Sequence, residues 1–163
     1  QPDKLHFGIF GDLAFFYDLN SLGNRHIGKN LRILLVNNGC GTEFNMYFHP
    51  GSQFKRQTND FIAAGGHFGN KSENLVRHYV QDLGFRYLSA RTKEEYLAAM
   101  DIFLSCDMSA PMVLECFTNP EDESEAHARL NAIDPFENSE SAMGFLKSVV
   151  PGRVKNAVRE LIK

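Results

Sequence analysis

The chain has 163 residues, 43% of them hydrophobic and 23% charged, with a net charge of −3 at pH 7. That is the make-up of a globular domain with enough apolar residues for a proper core. No run of Lys or Arg offers a footprint for nucleic acid or an anionic membrane, and no apolar stretch approaches the roughly 20 residues that span a bilayer.

Cys40, Cys106 and Cys116 are odd in number and widely spaced. This pattern fits neither a disulfide framework nor a zinc site and predicts reduced thiols in a cytoplasmic protein. The first residue is Gln1, and a strand is predicted from Lys4 onward. A strand expected to be central in its sheet, so close to the start, suggests a piece of a longer polypeptide.

Lys4 to Phe10 reads as a strand and Asp12 to about Leu22 as a helix ending near Gly23. Leu31 to Val36 is a near-continuous apolar run, the pattern of a strand buried on both faces. Thr42 to Phe48 opens a helix. From Pro50 to Gly69, Pro and Gly punctuate a long loop with short helical turns, the kind of segment that carries function or moves. Asn70 and Glu73 have capping-box spacing before a helix that Gly84 ends. Phe85 to Leu88 is a short strand. Thr92 and Glu95 form a second capping box, with Leu97, Met100 and Leu104 as the buried stripe of the helix that follows. Pro111 to Phe117 is the next buried strand, and Pro120 to Glu125 a solvated, acidic first helical turn. Asp134 to Glu140 is a polar linker, and from Pro151 an amphipathic helix runs to the end of the chain. The alternation predicts an α/β fold, three-layer α/β/α, with a parallel sheet flanked by helices.

Two segments carry chemistry. Gly11-Asp12-Leu13-Ala14-Phe15-Phe16-Tyr17-Asp18-Leu19-Asn20 sets a carboxylate just past the first strand, and Val36-Asn37-Asn38-Gly39-Cys40-Gly41 sets a carboxamide just past the second. Twenty-six positions separate Asp12 from Asn38, enough for one helix and a returning parallel strand. Adjacent strand ends of an open parallel sheet bring such groups together in the crevice where ligands bind. Taken singly, Asp12 is a helix cap and Asn37-Asn38 a turn; taken jointly, the two make a site of hard oxygen donors suited to Mg²⁺ and a phosphate.

The paired segments resemble the signature of the thiamine-diphosphate-dependent enzymes, a Gly-Asp pair followed by Asn-Asn. Leu13 in place of the usual Gly, together with Tyr17-Asp18-Leu19-Asn20, is most similar to the menaquinone-pathway synthases of that superfamily. The resemblance reaches to about residue 130 and covers the diphosphate-binding domain, N-terminally truncated, with 131–163 as a C-terminal helical extension. It implies thiamine diphosphate and Mg²⁺ as cofactors, with the metal held by Asp12, Asn38 and the backbone carbonyl of Cys40. Gly11, Leu13, Ala14 and Gly41 would complete the cofactor contacts, the amides of Leu13 and Ala14 facing the anion. It further implies decarboxylation of a 2-oxo acid, with transfer of the acyl unit to an acceptor, in a homo-oligomer. A glutamate from the pyrimidine-binding domain of a facing subunit would activate the cofactor, so no catalytic residue is expected in this chain. The strand and helix that precede the Gly-Asp strand in the family are also expected to be missing, leaving this fragment inactive alone. A non-catalytic module for assembly or regulation is the alternative.

The chain departs from the family at Cys40, where a small residue is usual, and at Thr42-Glu43, where the menaquinone synthases have Gln-Ile. A nucleophilic Cys40 would need a His or Asn partner, and none is assignable. The six histidines have no ligand spacing; His67, between Gly66 and Phe68, is the one placed to reach a substrate.

Overall fold

The computed structural model describes residues 3–46, 49–57 and 72–133. Among these, strands β1 (His6–Gly11), β2 (Leu31–Asn37), β3 (Arg86–Ala90) and β4 (Met112–Phe117) form one parallel sheet in the order β1-β2-β4-β3. Helices α1 (Asp12–Tyr17), α2 (Leu75–Asp82), α3 (Lys93–Phe103) and α4 (Pro120–Ile133) alternate with the strands.

The steps β1→β2 and β2→β3 run the same way across the sheet, whereas β3→β4 runs back. Right-handed crossovers then put α1 and α2 on one face and α3 on the other. The packing agrees. Phe15 of α1 and Val76 and Val80 of α2 share a core with Ile33, Leu35 and Val113. Ala99 and Phe103 of α3 share another with Met112 and Leu114. Alternate residues of β4 thus serve opposite faces, as the two-residue period of a strand requires. The three-layer α/β/α arrangement follows.

Strands β2 and β4 sit in the middle and supply Ile33, Leu35 and Met112 to Leu114 to the interior. Two charged side chains are buried in these strands, Arg32 of β2 and Glu115 of β4. Arg32 is fully buried, and its guanidinium donates to the carbonyls of Lys29, Leu31, Phe103, Ala110 and Asp107. Phe103 ends α3, where the helix dipole presents its negative pole. The cation is therefore held by carbonyls at the end of the sheet opposite the candidate site.

Several local expectations change. The first helix stops at Tyr17 and continues as a 3₁₀ helix over Leu19–Gly23, because Asp18 leaves helical geometry (φ −105°, ψ 19°). Thr42–Asn45 and Pro50–Gln57 are likewise 3₁₀ helices. Helix α2 begins at Leu75 with Asn74 before it, so Glu73 is not its capping partner and instead pairs with Arg91 at 2.7 Å. One half of the Thr92 box forms: Glu95 N–H donates to Thr92 Oγ1 at 3.2 Å, while Glu95 Oε2 accepts at 2.7 Å from the N–H of Arg91, one residue before the cap. The stripe of α3 is rotated from the expected one. Ala99 and Phe103 are buried and Met100 packs against them as expected, whereas Leu97 and Leu104 are 55% and 52% exposed.

Residues 125–163 make a second compact unit. Of it, only 125–133 are described, with an exposed ion pair from Arg129 to Glu125 one helical turn apart. The predicted linker at 134–140, the helix after Pro151, Asn70 and His67 lie outside the described residues.

Candidate metal and cofactor site

β1, β2 and β4 end on the same edge of the sheet. Gly11 stands beside Val36 in the β1–β2 register, so Asp12 and the Asn37-Asn38 turn leave the sheet as neighbours. Asp12 is the first residue of α1 and is 2% exposed. Its Oδ1 accepts from the Leu13 N–H at 2.8 Å. Its Oδ2 has no partner, and among the described residues it is the one buried side-chain oxygen or nitrogen left so. Burial raises the Asp12 pKa from 3.8 to about 6; the amides of Leu13 and Gly39 pull it down, and the charge of Glu123 pushes it up. An orphaned, buried carboxylate oxygen is costly, and a cation would relieve it. The donor chemistry therefore fits Mg²⁺. The Leu13 amide, expected to face an anion, is instead engaged by Asp12.

The turn after β2 is built from two successive asparagines. Asn37 Oδ1 accepts from Gly39 N–H at 3.1 Å, and Asn38 Oδ1 from Cys40 N–H at 2.9 Å. Each side chain closes a loop onto the backbone two residues on, which short amide side chains do readily. Between them Gly39 has φ +75°, a conformation that suits glycine. The Cys40 carbonyl accepts from Thr42 N–H at 3.1 Å, and Gly41 is buried. Burial pushes the Cys40 thiol pKa up; the Thr42 hydroxyl opposes this, and the charges of Asp12 and Glu123 add to it. A thiol held protonated is a poor nucleophile.

Two glutamates join the site that the sequence reading did not place there. Glu115 of β4 is fully buried; its Oε1 accepts from Asn37 Nδ2 at 2.7 Å and its Oε2 from the Tyr87 hydroxyl at 2.6 Å. A carboxylate inside an otherwise apolar strand is the signal that could have found it. Glu123, in the first turn of α4, accepts from Asn38 Nδ2 at 2.6 Å and from the Thr118 hydroxyl. It is therefore not part of a merely solvated turn; its acidic neighbours Glu121 and Asp122 hid that role.

Among the described residues no three His, Cys, Asp or Glu side chains converge on one point. Both glutamates have their two oxygens engaged, so the donors left are the Asp12 carboxylate, one carboxamide and one backbone carbonyl, all hard oxygens of the kind Mg²⁺ takes alongside phosphate. A separate apolar groove of 330 Å³ lies between β1 and α1, lined by Gly8, Phe10, Ala14, Phe15 and Ile33 among others. Neither Asp12 nor the 38–41 turn borders it. No described helix is long and apolar enough to cross a membrane.

No protein-family model matches the chain. Individual proteins do. Over 117 residues, 71% of this chain and 20% of the relative, it is 35% identical to the 2-succinyl-5-enolpyruvyl-6-hydroxy-3-cyclohexene-1-carboxylate synthase of Bacteroides fragilis. The synthase of the same name from Phocaeicola vulgatus is 38% identical over 122 residues, 74% of this chain and 20% of the relative. That of Flavobacterium johnsoniae is 33% identical over 110 residues, 68% and 18%. The chain thus spans about one fifth of the length of the curated relatives it matches. With the Gly-Asp-Leu carboxylate and the Asn-Asn turn on adjacent strand ends, this similarity makes the chain a member of the thiamine-diphosphate-dependent enzyme superfamily, from the diphosphate-binding domain.

Proposed function

We propose that the chain serves a cytoplasmic, homo-oligomeric enzyme that decarboxylates a 2-oxo acid and transfers the acyl unit to an acceptor, with residues 1–130 holding the cofactor diphosphate through Mg²⁺. The observation that carries this reading is the buried, unpartnered Oδ2 of Asp12 beside the Asn38 turn. Asp12 would supply the carboxylate, Asn38 its side-chain oxygen and Cys40 its backbone carbonyl. Gly11, Leu13, Ala14 and Gly41 would border the diphosphate. When bound, thiamine diphosphate supplies the nucleophilic carbon on which CO₂ is lost from the 2-oxo acid. The residues of this chain bind and orient; a pyrimidine-binding domain of the parent, from a facing subunit, would supply the activating carboxylate. Residues 131–163 would be a C-terminal helical extension of the diphosphate-binding domain.

A neutral Asn opposite the one Asp suits the task, since a second anionic ligand would repel the diphosphate. Calorimetry on the full-length protein tests the assignment. Asp12→Ala should abolish Mg²⁺-dependent thiamine diphosphate binding, because no other described ligand is a buried carboxylate with a vacant oxygen. Unchanged cofactor affinity in that variant would overturn the assignment.

A further inference from the structure

The carboxamide of Asn38 has two ends of nearly equal size, and only hydrogen bonding decides which one faces a metal. Its nitrogen donates to Glu123 Oε2 at 2.6 Å and to Thr42 Oγ1 at 2.5 Å. Its oxygen accepts from Cys40 N–H at 2.9 Å, which leaves that oxygen a second lone pair. Thr42 cannot decide the matter, because a hydroxyl both donates and accepts. Two groups can: the Cys40 N–H only donates and takes the oxygen, and the ionised Glu123 carboxylate only accepts and takes the nitrogen, so reversing the amide would set like ends against each other on both sides.

Glu123 is itself held in place. The Thr118 hydroxyl donates to its other oxygen, and its own N–H donates to the Asn119 carbonyl at 3.1 Å. Asn119 Oδ1 accepts from Asp122 N–H at 2.9 Å, which caps the start of α4. A helix that begins after β4 thus delivers a carboxylate to a side chain 85 residues earlier in the chain.

We propose that Glu123 is a positioning residue for the metal site, orienting the Asn38 carboxamide so that its oxygen is the end presented to Mg²⁺. This rests on the reading of Asn38 as a metal ligand. Groups that orient metal ligands typically change affinity by about 10- to 100-fold when removed.

The test measures Mn²⁺ affinity by paramagnetic resonance in the full-length protein with thiamine diphosphate, in a double-mutant cycle. Glu123→Gln should weaken Mn²⁺ binding on the order of ten-fold, because glutamine accepts either end of the Asn38 amide and leaves the Cys40 N–H alone to oppose reversal. In an Asn38→Asp background both ends are oxygens, so the same change should cost less than about three-fold. Thr118→Val, which frees Glu123 without altering any charge, should weaken binding in the same direction. Circular dichroism and urea midpoints on each variant establish that it is folded. Equal losses from Glu123→Gln in both backgrounds, with no effect of Thr118→Val, would mean that Glu123 acts by charge alone and would overturn the proposal. Mn²⁺ binding that survives Asp12→Ala would overturn the metal assignment as well. Binding lost in Asp12→Ala but untouched by Glu123→Gln would overturn only the role of Glu123.

Discussion

The Asn37 carboxamide donates to Glu115 Oε1 at 2.7 Å, and both residues are buried. The same Asn37 accepts from Gly39 N–H, and the same Glu115 from the Tyr87 hydroxyl, so β3, β4 and the turn after β2 are joined by one polar chain. The two adjacent asparagines therefore have separate tasks. Asn37 ties the turn to β4 through Glu115, and Asn38 is the one we propose as the metal ligand.

Breaking this chain should affect stability and metal binding together. Burial raises the Glu115 pKa, so the group is already held at a cost that its two donors offset. Glu115→Ala would leave the Asn37 amide and the Tyr87 hydroxyl without an acceptor, a loss of about 3 kcal/mol. Glu115→Gln keeps the volume and one acceptor oxygen and should cost about 1 kcal/mol. Urea unfolding orders the variants, and calorimetry should find Mg²⁺ affinity reduced more in the alanine form. Equal midpoints for wild type and Glu115→Ala would show that the network carries no stability.

Asp12 should make the metal-free protein less stable as pH rises. Its pKa stands near 6 in the folded state against 3.8 ordinarily. Between those values the folded state retains a proton that the unfolded state has lost, so stability falls from about pH 4 to about pH 6 and is then flat. The full cost is roughly 3 kcal/mol. In EDTA, Asp12→Asn should therefore be more stable than wild type at pH 7.5, with the gap closing toward pH 4. Mg²⁺ with thiamine diphosphate should stabilise wild type and leave the variant unchanged. A gap that does not vary with pH would mean that the carboxylate is not the source of the strain.

Cys40 separates backbone from side chain. If its carbonyl alone serves, Cys40→Ala and Cys40→Ser should leave kcat of the full-length enzyme within about three-fold. Steady-state kinetics checks this. A loss on the order of 10³-fold would restore the thiol to the chemistry.

What could be read in advance was whatever local pattern dictates. Leu31 to Val36 and Pro111 to Phe117 were legible as strands because a strand covered on both faces is continuously apolar. Thr92 and Glu95 were legible because a cap is a contact between near neighbours. The face of α3 was not. Leu97, Met100 and Leu104 fit the helical period, but so do Tyr96, Ala99 and Phe103, and period fixes spacing without fixing phase. The sheet decided it, since Met112 and Leu114 accept Ala99 and Phe103. Glu115 and Glu123 escaped for a related reason. They meet Asn37 and Asn38 across 78 and 85 residues, a separation invisible to any local window. Asp12 and Asn38 could be placed at adjacent strand ends because the motif carries them, although nothing local announced that Asp12 Oδ2 would lack a partner.

The exposed edge of β1 carries the last prediction. Ile9 is 73% exposed, Phe7 52% and Phe10 41%, on a strand that among the described residues pairs on one side only, with β2. An apolar edge strand with free backbone groups is a template for pairing with another strand. In a solution of this chain alone the available partner is a second copy, so the chain should self-associate. Ile9 belongs to neither core cluster, so Ile9→Lys should cost little stability, within about 0.5 kcal/mol. Lysine on an edge strand disfavours pairing, because docking would bury its charge. Phe7 is the wrong residue to change, since its ring meets the buried Phe103 edge-on with centroids 5.8 Å apart. Sedimentation equilibrium should show wild-type chain above the monomer mass of 18.4 kDa and Ile9→Lys close to it. Association equally strong in Ile9→Lys would move the contact away from this edge, and a wild-type chain that is monomeric throughout would remove it altogether.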